Sequence, residues 1–134
     1  AFIVRVCGDS PFVDINAMDK LIDKVIAENV DYGIVTDCMD GFTSEVISAE
    51  TLRAIDAKAT SEDEREHVTT YIHNHLDSFN TVDFQAGTRP EGELGYKMTV
   101  DYPEDMVVAR KIASGLNDFY FTAEDAISRI IKAD

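Results

Sequence analysis

The chain has 134 residues, 45% of them hydrophobic, so it is long and apolar enough to form one domain with its own core. It carries 26 acidic and 12 basic residues, a net charge of -14. That charge argues against the basic face a nucleic-acid binder needs and disfavours anionic membranes, so we expect neither partner. No apolar run approaches the roughly 20 residues of a membrane span. The two cysteines are too few for a disulfide scaffold and suit a reduced, cytoplasmic protein.

Predicted strands and helices alternate along the chain, a pattern typical of an α/β sheet with a parallel core. The first half contains these predicted elements: a strand at 2–6, a helix along 18–26, a strand at 31–36, a strand at 44–47, a helix at 49–58 and a helix at 61–76. The second half contains these: a weak strand at 81–84, exposed turns at 87–95, a strand at 96–100, a helix from 103 and a last helix from about 122.

Three of the predicted helices begin at recognisable capping signals. Ser61 and Glu64 form a capping-box pattern. Pro103 suits the first turn of its helix, and Thr122 with Asp125 caps the last one. The helix after Ser61 would bury one apolar stripe: Val68, Tyr71, Ile72 and Leu76. The last helix would bury another: Ala126, Ile127, Ile130 and Ile131.

Two β-rich runs each end in an aspartate, and each aspartate is followed by strand-breaking residues and then a helix. Asp9 follows the first run, and Asp101 follows the run at 96–100. Ligands of open α/β sheets bind at the carboxyl ends of the strands, and two carboxylates brought together there suit Mg²⁺. Two other interpretations stay open. Both aspartates are ordinary turn or N-cap residues, or Asp9 serves a receiver-like or phosphatase-like α/β domain. The acidic pair and the lysine of a receiver are not clearly present.

Four segments in order resemble the cytidylyltransferases of the spore-coat polysaccharide type, relatives of the 3-deoxy-manno-octulosonate and acylneuraminate cytidylyltransferases. The segments are RVCGDSPFVD at 5–14, DGFTSEV at 40–46, EREHVTTYI at 64–72 and TVDYPED at 99–105. Each alone is a weak signal. Together they span most of the chain, which makes the resemblance specific.

This resemblance implies a Rossmann-like nucleotide-diphospho-sugar transferase fold with a mixed, mostly parallel sheet and flanking helices. It implies Mg²⁺-dependent transfer of CMP from CTP to a sugar acid or related acceptor, with release of pyrophosphate, for surface polysaccharide synthesis. By motif position Asp9 and Asp101 are the catalytic and metal-binding residues. The resemblance also implies a cytoplasmic homodimer.

The resemblance places four further residues on the acceptor-sugar side or at a subunit interface: Glu45, Arg65, His67 and Tyr71. Arg5, in the first motif, is another candidate substrate-binding residue. On a continuous helix His67 and Tyr71 would be four residues apart and share a face, and Arg65 would suit a substrate carboxylate. The alternatives are a half-buried structural His67 and a solvated Arg65. Arg5, inside an apolar strand, either has an ion-pair partner near the site or marks the exposed side of the strand.

The three histidines of this region do not form an expected zinc site. His67, His73 and His75 lie close in sequence, but their spacing does not put all three on one helical face.

The chain also departs from the family pattern. Met39 stands where a proline usually precedes the D-G pair, Lys97-Met98 stands where an arginine is common, and Tyr102 replaces a small capping residue. The Gly-rich loop with Arg and Lys that holds the triphosphate in the family has no match. We therefore expect residues 1–134 to be the C-terminal part of a nucleotidyltransferase domain, inactive alone, without the nucleotide-binding portion. The alternative function is a non-catalytic, degenerate module used for binding or dimerisation.

Overall fold

The computed structural model of the chain describes residues 1–89, 97–116 and 120–131. The strands are β1 (Phe2–Arg5), β2 (Tyr32–Thr36), β3 (Glu45–Ser48) and β4 (Thr81–Gln85). The helices are α1 (Ile15–Glu28), α2 (Ala49–Lys58), α3 (Glu62–Glu66), α4 (Thr70–Asn74), α5 (Pro103–Ser114) and α6 (Ala123–Ile131), with a short 3₁₀ turn at Leu76–Ser78.

The four strands form one sheet in the order β1-β3-β2-β4. β3 runs antiparallel to both β1 and β2, and β2 pairs with β4 in parallel. β1, β2 and β4 therefore point the same way, and the sheet is mixed as expected, although two of its three strand pairings are antiparallel. Their carboxyl ends lie at one edge, together with the start of β3, because Glu45 pairs with both Arg5 and Ile34.

Helix α1 covers one face of the sheet and packs directly on β2. Its buried side chains include Leu21 and Val25, which recur at helical spacing. Gly33 of β2 permits the close approach, because a Cβ there would lie 2.5 Å from Cγ2 of Val25. Asp14 begins the helix, since its buried carboxylate accepts a hydrogen bond from the Ala17 amide at 3.0 Å.

Two further clusters complete the core. On the opposite face of the sheet, α2 and α4 bury one group of side chains: Tyr32, Ile47, Ile55 and Ile72. Beyond the carboxyl edge, α5, α6, the segment before α5 and the loops after β1 and β2 bury another: Phe12, Met39, Phe42, Met98, Ile112, Ala123, Ala126 and Ile130. The second cluster supports the loops that carry the two aspartates, and Met39 belongs to it.

The continuous helix predicted at 61–76 is wrong, because the segment is broken into α3, α4 and the 3₁₀ turn. Ser61 does cap the first piece. His67 then adopts an extended backbone, and three β-branched residues in a row follow it, which disfavour helix. The break changes the apolar stripe as well. Ile72 is buried and Tyr71 is half-buried, but Val68 and Leu76 are exposed.

The strand predicted at 96–100 is wrong for residues 97–100, which have no regular secondary structure. Its amides at Met98 and Val100 donate to carbonyls of two different loops, those of Asp40 and Asp9, so no ladder forms. Residue 96 and most of the turn-rich segment, 90–95, lie outside the described residues.

The last two helices begin where the sequence predicts. Pro103 is in the first turn of α5, and Thr122 exchanges capping hydrogen bonds with Asp125 at the start of α6. Helix α6 buries Ala126 and Ile130, while Ile127 is half-buried. The side chain of Ile131 is outside the description. Within the described parts of the chain, no helix has both the length and the apolar character to cross a membrane.

Candidate functional site

The two predicted aspartates belong to neighbouring segments at the carboxyl edge of the sheet. Asp9 follows β1 in a tight turn, and Asp101 precedes α5. The amide of Val100 donates to the carbonyl of Asp9 at 2.8 Å, so the backbones of the two segments are joined one residue before Asp101. Both carboxylates are exposed. The edge thus brings together the segments that the sequence had singled out.

Gly41 lets the segment that carries Asp101 reach this edge. The amide of Met98 donates to the carbonyl of Asp40 at 2.8 Å. Gly41 has φ 93, a conformation that favours glycine. A Cβ at Gly41 would lie 2.6 Å from the carbonyl carbon of Met98. The backbone of the D-G pair in the second motif therefore packs directly against the segment that leads into the fourth motif.

Hydrogen bonds fix the Asp101 side chain in its charged form. Lys97 forms an ion pair with one oxygen of Asp101, and the Thr99 hydroxyl donates to the same oxygen at 3.0 Å. These contacts, Lys97 first, lower the pKa of Asp101. Asp105 accepts from the amides of Asp101 and Tyr102 at 2.9 Å each, and these bonds lower the pKa of Asp105. Asp105 thereby caps α5 in place of the side chain that Tyr102 cannot supply.

The donor chemistry of the two aspartates fits a hard divalent cation. Among contacts between described residues, Oδ1 of Asp9 accepts from Ser10 and Oδ2 of Asp101 accepts from Lys97 and Thr99. The other oxygen of each carboxylate accepts none within that part of the chain. Mg²⁺ commonly uses one or two carboxylates and completes its shell with water and substrate phosphates. The described residues contain no group of three or more acidic, histidine or cysteine side chains placed for a metal.

A cleft of about 800 Å³ opens beside Asp9, between the loop after β1 and helix α5. Its walls are mostly apolar and include Phe12, Val100 and Ala109. Asp9 and Arg110 are the charged residues among the described residues that line it. The volume lies in the range of small-molecule sites.

Glu45 is buried at the centre of a polar network on the face of the sheet opposite α1. Its carboxylate forms an ion pair with Arg5 and accepts from the Tyr32 hydroxyl at 2.5 Å. Nε2 of His73 lies 3.3 Å from that hydroxyl and 3.8 Å from Glu45. Arg5 therefore has the ion-pair partner that a cation in an apolar strand requires.

The charges of this network shift two pKa values. Burial, followed by the hydrogen bond and charge of Glu45, raises the pKa of Tyr32 well above its usual range. Burial alone would lower the pKa of Arg5, but the hydrogen bond and charge of Glu45 outweigh burial and raise it. The folded protein thus holds Tyr32 neutral and Arg5 charged.

The other predicted acceptor-side residues lie on α3, α4 and the turn between them. Arg65 pairs with Asp56 of α2 at 2.9 Å, and both side chains are exposed. His67 is exposed, with Nε2 3.7 Å from Asp63. Tyr71 stacks on His75, with ring centroids 4.2 Å apart. The helical face predicted for His67 and Tyr71 is wrong because the helix is broken between them.

Sequence reasoning missed three residues that contact or surround Glu45. Tyr32 and His73 reach it directly, and the buried Thr69 interacts with the Tyr32 hydroxyl. One signal was present, since a tyrosine in an otherwise apolar buried strand needs a partner for its hydroxyl. Thr69 and Glu45 belong to the third and second motifs, so the network joins those two motifs in space.

Comparisons with known proteins agree with the fold and the motifs. A solved cytidylyltransferase from Leptospira borgpetersenii superposes with a TM-score of 0.83 at 22% identity, covering 98% of this chain and 56% of that one. The spore coat polysaccharide biosynthesis protein SpsF of Bacillus subtilis is 34% identical over 104 residues, which are 77% of this chain and 43% of SpsF. The uncharacterized protein MJ1063 of Methanocaldococcus jannaschii is 30% identical over 103 residues, 77% of this chain and 42% of MJ1063.

The chain spans less than half the length of these two curated relatives. The family described as "Cytidylyltransferase" matches residues 1–126, nearly the whole chain. The chain belongs to the cytidylyltransferase family.

Proposed function

We propose that the protein transfers CMP from CTP to a sugar acid or related sugar acceptor in surface polysaccharide synthesis. The observation that carries this proposal is the backbone contact between Val100 and Asp9, which supports a joint role for Asp9 and Asp101. In the proposed step the acceptor oxygen forms a bond to the α-phosphorus of CTP. The bond from that phosphorus to the bridging oxygen breaks, its electron pair leaves with pyrophosphate, and the acceptor proton passes to solvent.

Asp9 and Asp101 would hold Mg²⁺ through the carboxylate oxygens that accept no hydrogen bond from a described residue. The ion would supply positive charge at the phosphates, where charge develops during the transfer. Lys97 and Thr99 lower the pKa of Asp101, which favours the ionised form that a metal ligand needs. Positive charge at the phosphates matters especially in this chain, because its net charge of -14 repels a triphosphate.

The acceptor side is proposed to involve the second and third motifs. Arg65, His67 and Tyr71 are at least partly exposed and able to meet a polar sugar. Arg5 and Glu45 form an ion pair with each other. They therefore support the site by holding β1 against β3 rather than by binding the acceptor.

We also propose that residues 1–134 supply only the metal and acceptor side of a longer domain, and that the protein is a cytoplasmic homodimer. The length of the curated relatives supports the first point. The family's Gly-rich triphosphate loop has no match in these 134 residues. Light scattering measures the oligomeric state. A monomer at micromolar concentration would contradict the dimer.

The activity is tested with the full-length protein, meaning this chain together with whatever its coding sequence places beside it. The protein is incubated with Mg²⁺, one of four nucleoside triphosphates and a panel of sugar acids and neutral sugars. Pyrophosphate release and the mass of the product are measured. We expect a CMP-sugar from CTP with at least one acceptor. Tight Mg-CTP binding without transfer to any acceptor would instead support a non-catalytic binding module.

A further inference from the structure

The cleft beside Asp9 contains a cation that neither the motifs nor the proposed chemistry uses. Arg110 lies on α5, two turns beyond Pro103, and its exposed side chain lines the cleft that Asp9 also lines. The rest of the described lining is uncharged and largely apolar.

Arg110 has no counter-ion within the described ranges, whereas cations near the site are engaged. Lys97 is paired with Asp101 and lies 3.9 Å from Asp105, and Arg5 is paired with Glu45. No ion pair or hydrogen bond joins Arg110 to a described side chain. In a chain with 26 acidic residues, a cation that lines the same cleft as Asp9 and has no counter-ion among the described residues suits a ligand that brings its own negative charge.

We propose that Arg110 binds the phosphate groups of the nucleotide that become pyrophosphate. The proposal rests on the proposed function and adds a substrate-binding residue to it. Asp9 and Arg110 line one cleft, so a polyphosphate bound near Asp9 would have the Arg110 guanidinium in the same cleft. The planar guanidinium donates two parallel hydrogen bonds to phosphate oxygens and stabilises the negative charge of the leaving group.

The test measures binding of Mg-pyrophosphate and Mg-CTP to the full-length protein by calorimetry. Replacing Arg110 with alanine should weaken pyrophosphate binding about 10- to 100-fold, the usual value of a charge-assisted hydrogen-bonded contact. Arg110→Lys should recover part of the affinity, because lysine keeps the charge and loses the fork. The matched control is Lys111→Ala, which removes the same charge from the next position of the same helix and should change binding less than about threefold.

Thermal unfolding of each variant checks that the fold persists. Equal pyrophosphate affinity in Arg110→Ala and the unsubstituted protein, or equal losses in Arg110→Ala and Lys111→Ala, would overturn the proposal. Absence of pyrophosphate binding by the unsubstituted protein would overturn it as well. A protein that binds pyrophosphate through Arg110 but releases none from CTP with any acceptor would retain the Arg110 site and contradict the proposed transfer, so the two failures are distinguishable.

Discussion

Glu45 shows how single residues of separate motifs become one structural unit. Its carboxylate is buried, and a buried charge is costly unless it is paired and hydrogen-bonded. Arg5 takes one oxygen and Tyr32 takes the other, so strands β1, β2 and β3 are tied at the edge where β1 turns toward Asp9. The network therefore fixes the start of the loop that carries the first aspartate.

Removing the Tyr32 hydroxyl should destabilise the protein. In Tyr32→Phe, one oxygen of the buried Glu45 loses its donor, which should lower the free energy of unfolding by about 1.5–3 kcal/mol. Urea unfolding followed by circular dichroism measures the change. Tyr71→Phe is the control, because its ring contacts with His75 and Phe79 persist, and it should cost less than about 0.5 kcal/mol. A Tyr32→Phe value within that control range would mean that the network contributes little.

Tyr32 should also make stability fall in alkali. Its pKa is raised in the folded state, so above about pH 10 the unfolded chain loses the phenolic proton while the folded protein keeps it. The unfolded state then binds fewer protons, and the free energy of unfolding decreases as pH rises. The decrease should be up to about 1.4 kcal/mol per pH unit steeper than in Tyr32→Phe. Parallel slopes for both proteins between pH 10 and 11.5 would show that the phenol titrates normally.

The sequence predicts residues better than it predicts their partners. Asp9 and Asp101 stand out because each follows a β-rich run. The partners of Glu45 are not predictable in the same way, because Tyr32 and His73 lie 13 and 28 positions away and meet it only through strand register and the position of α4. Arg5 required a partner on physical grounds, and the register supplied Glu45.

At the scale of elements, periodicity predicts β1–β4, α1 and α2 well and misjudges the segment between α2 and β4. The error arises at 68–70, where local propensity opposes the capping signal at Ser61 and tertiary contact decides. The break places Thr69 inside and directs His73 toward Glu45. The segment at 97–100 has a strand-like composition, but its amides donate hydrogen bonds to two loops instead of a strand. Composition alone does not reveal these partners.

Gly41 should be the most sensitive backbone position of the site. In Gly41→Ala the new Cβ would overlap the Met98 carbonyl and would sit at a positive φ, which together should cost about 1–3 kcal/mol. Because the displaced segment carries Asp101, Mg-dependent turnover should fall more than stability alone explains. Gly87→Ala is the control for the positive φ, since no atom of the described residues lies within 4 Å of its Cβ position. Equal turnover in the two variants at a temperature where both are folded would contradict the role of Gly41 in positioning the segment that carries Asp101.

At the scale of the whole molecule, the net charge opposes nucleotide binding, whereas the exposed apolar surface favours association. The net charge of -14 opposes the approach of a triphosphate, so a divalent cation and Arg110 would have to offset it locally. Apolar side chains on β1 and α5 are also exposed: Ile3, Val4, Met106, Val107 and Val108. Surfaces of this kind favour association, which agrees with the proposed dimer within a longer protein.

Metal-dependent CMP transfer at Asp9 and Asp101 is tested most directly by pyrophosphate release from CTP in matched asparagine variants of the full-length protein. Asp9→Asn and Asp101→Asn should each lower the rate about 100-fold or more, because each removes a metal-binding charge. Asp19→Asn, an exposed position on α1, should stay within about twofold of the unsubstituted protein. Chelation should abolish release and added Mg²⁺ should restore it. Unchanged turnover in both site variants would contradict the assignment.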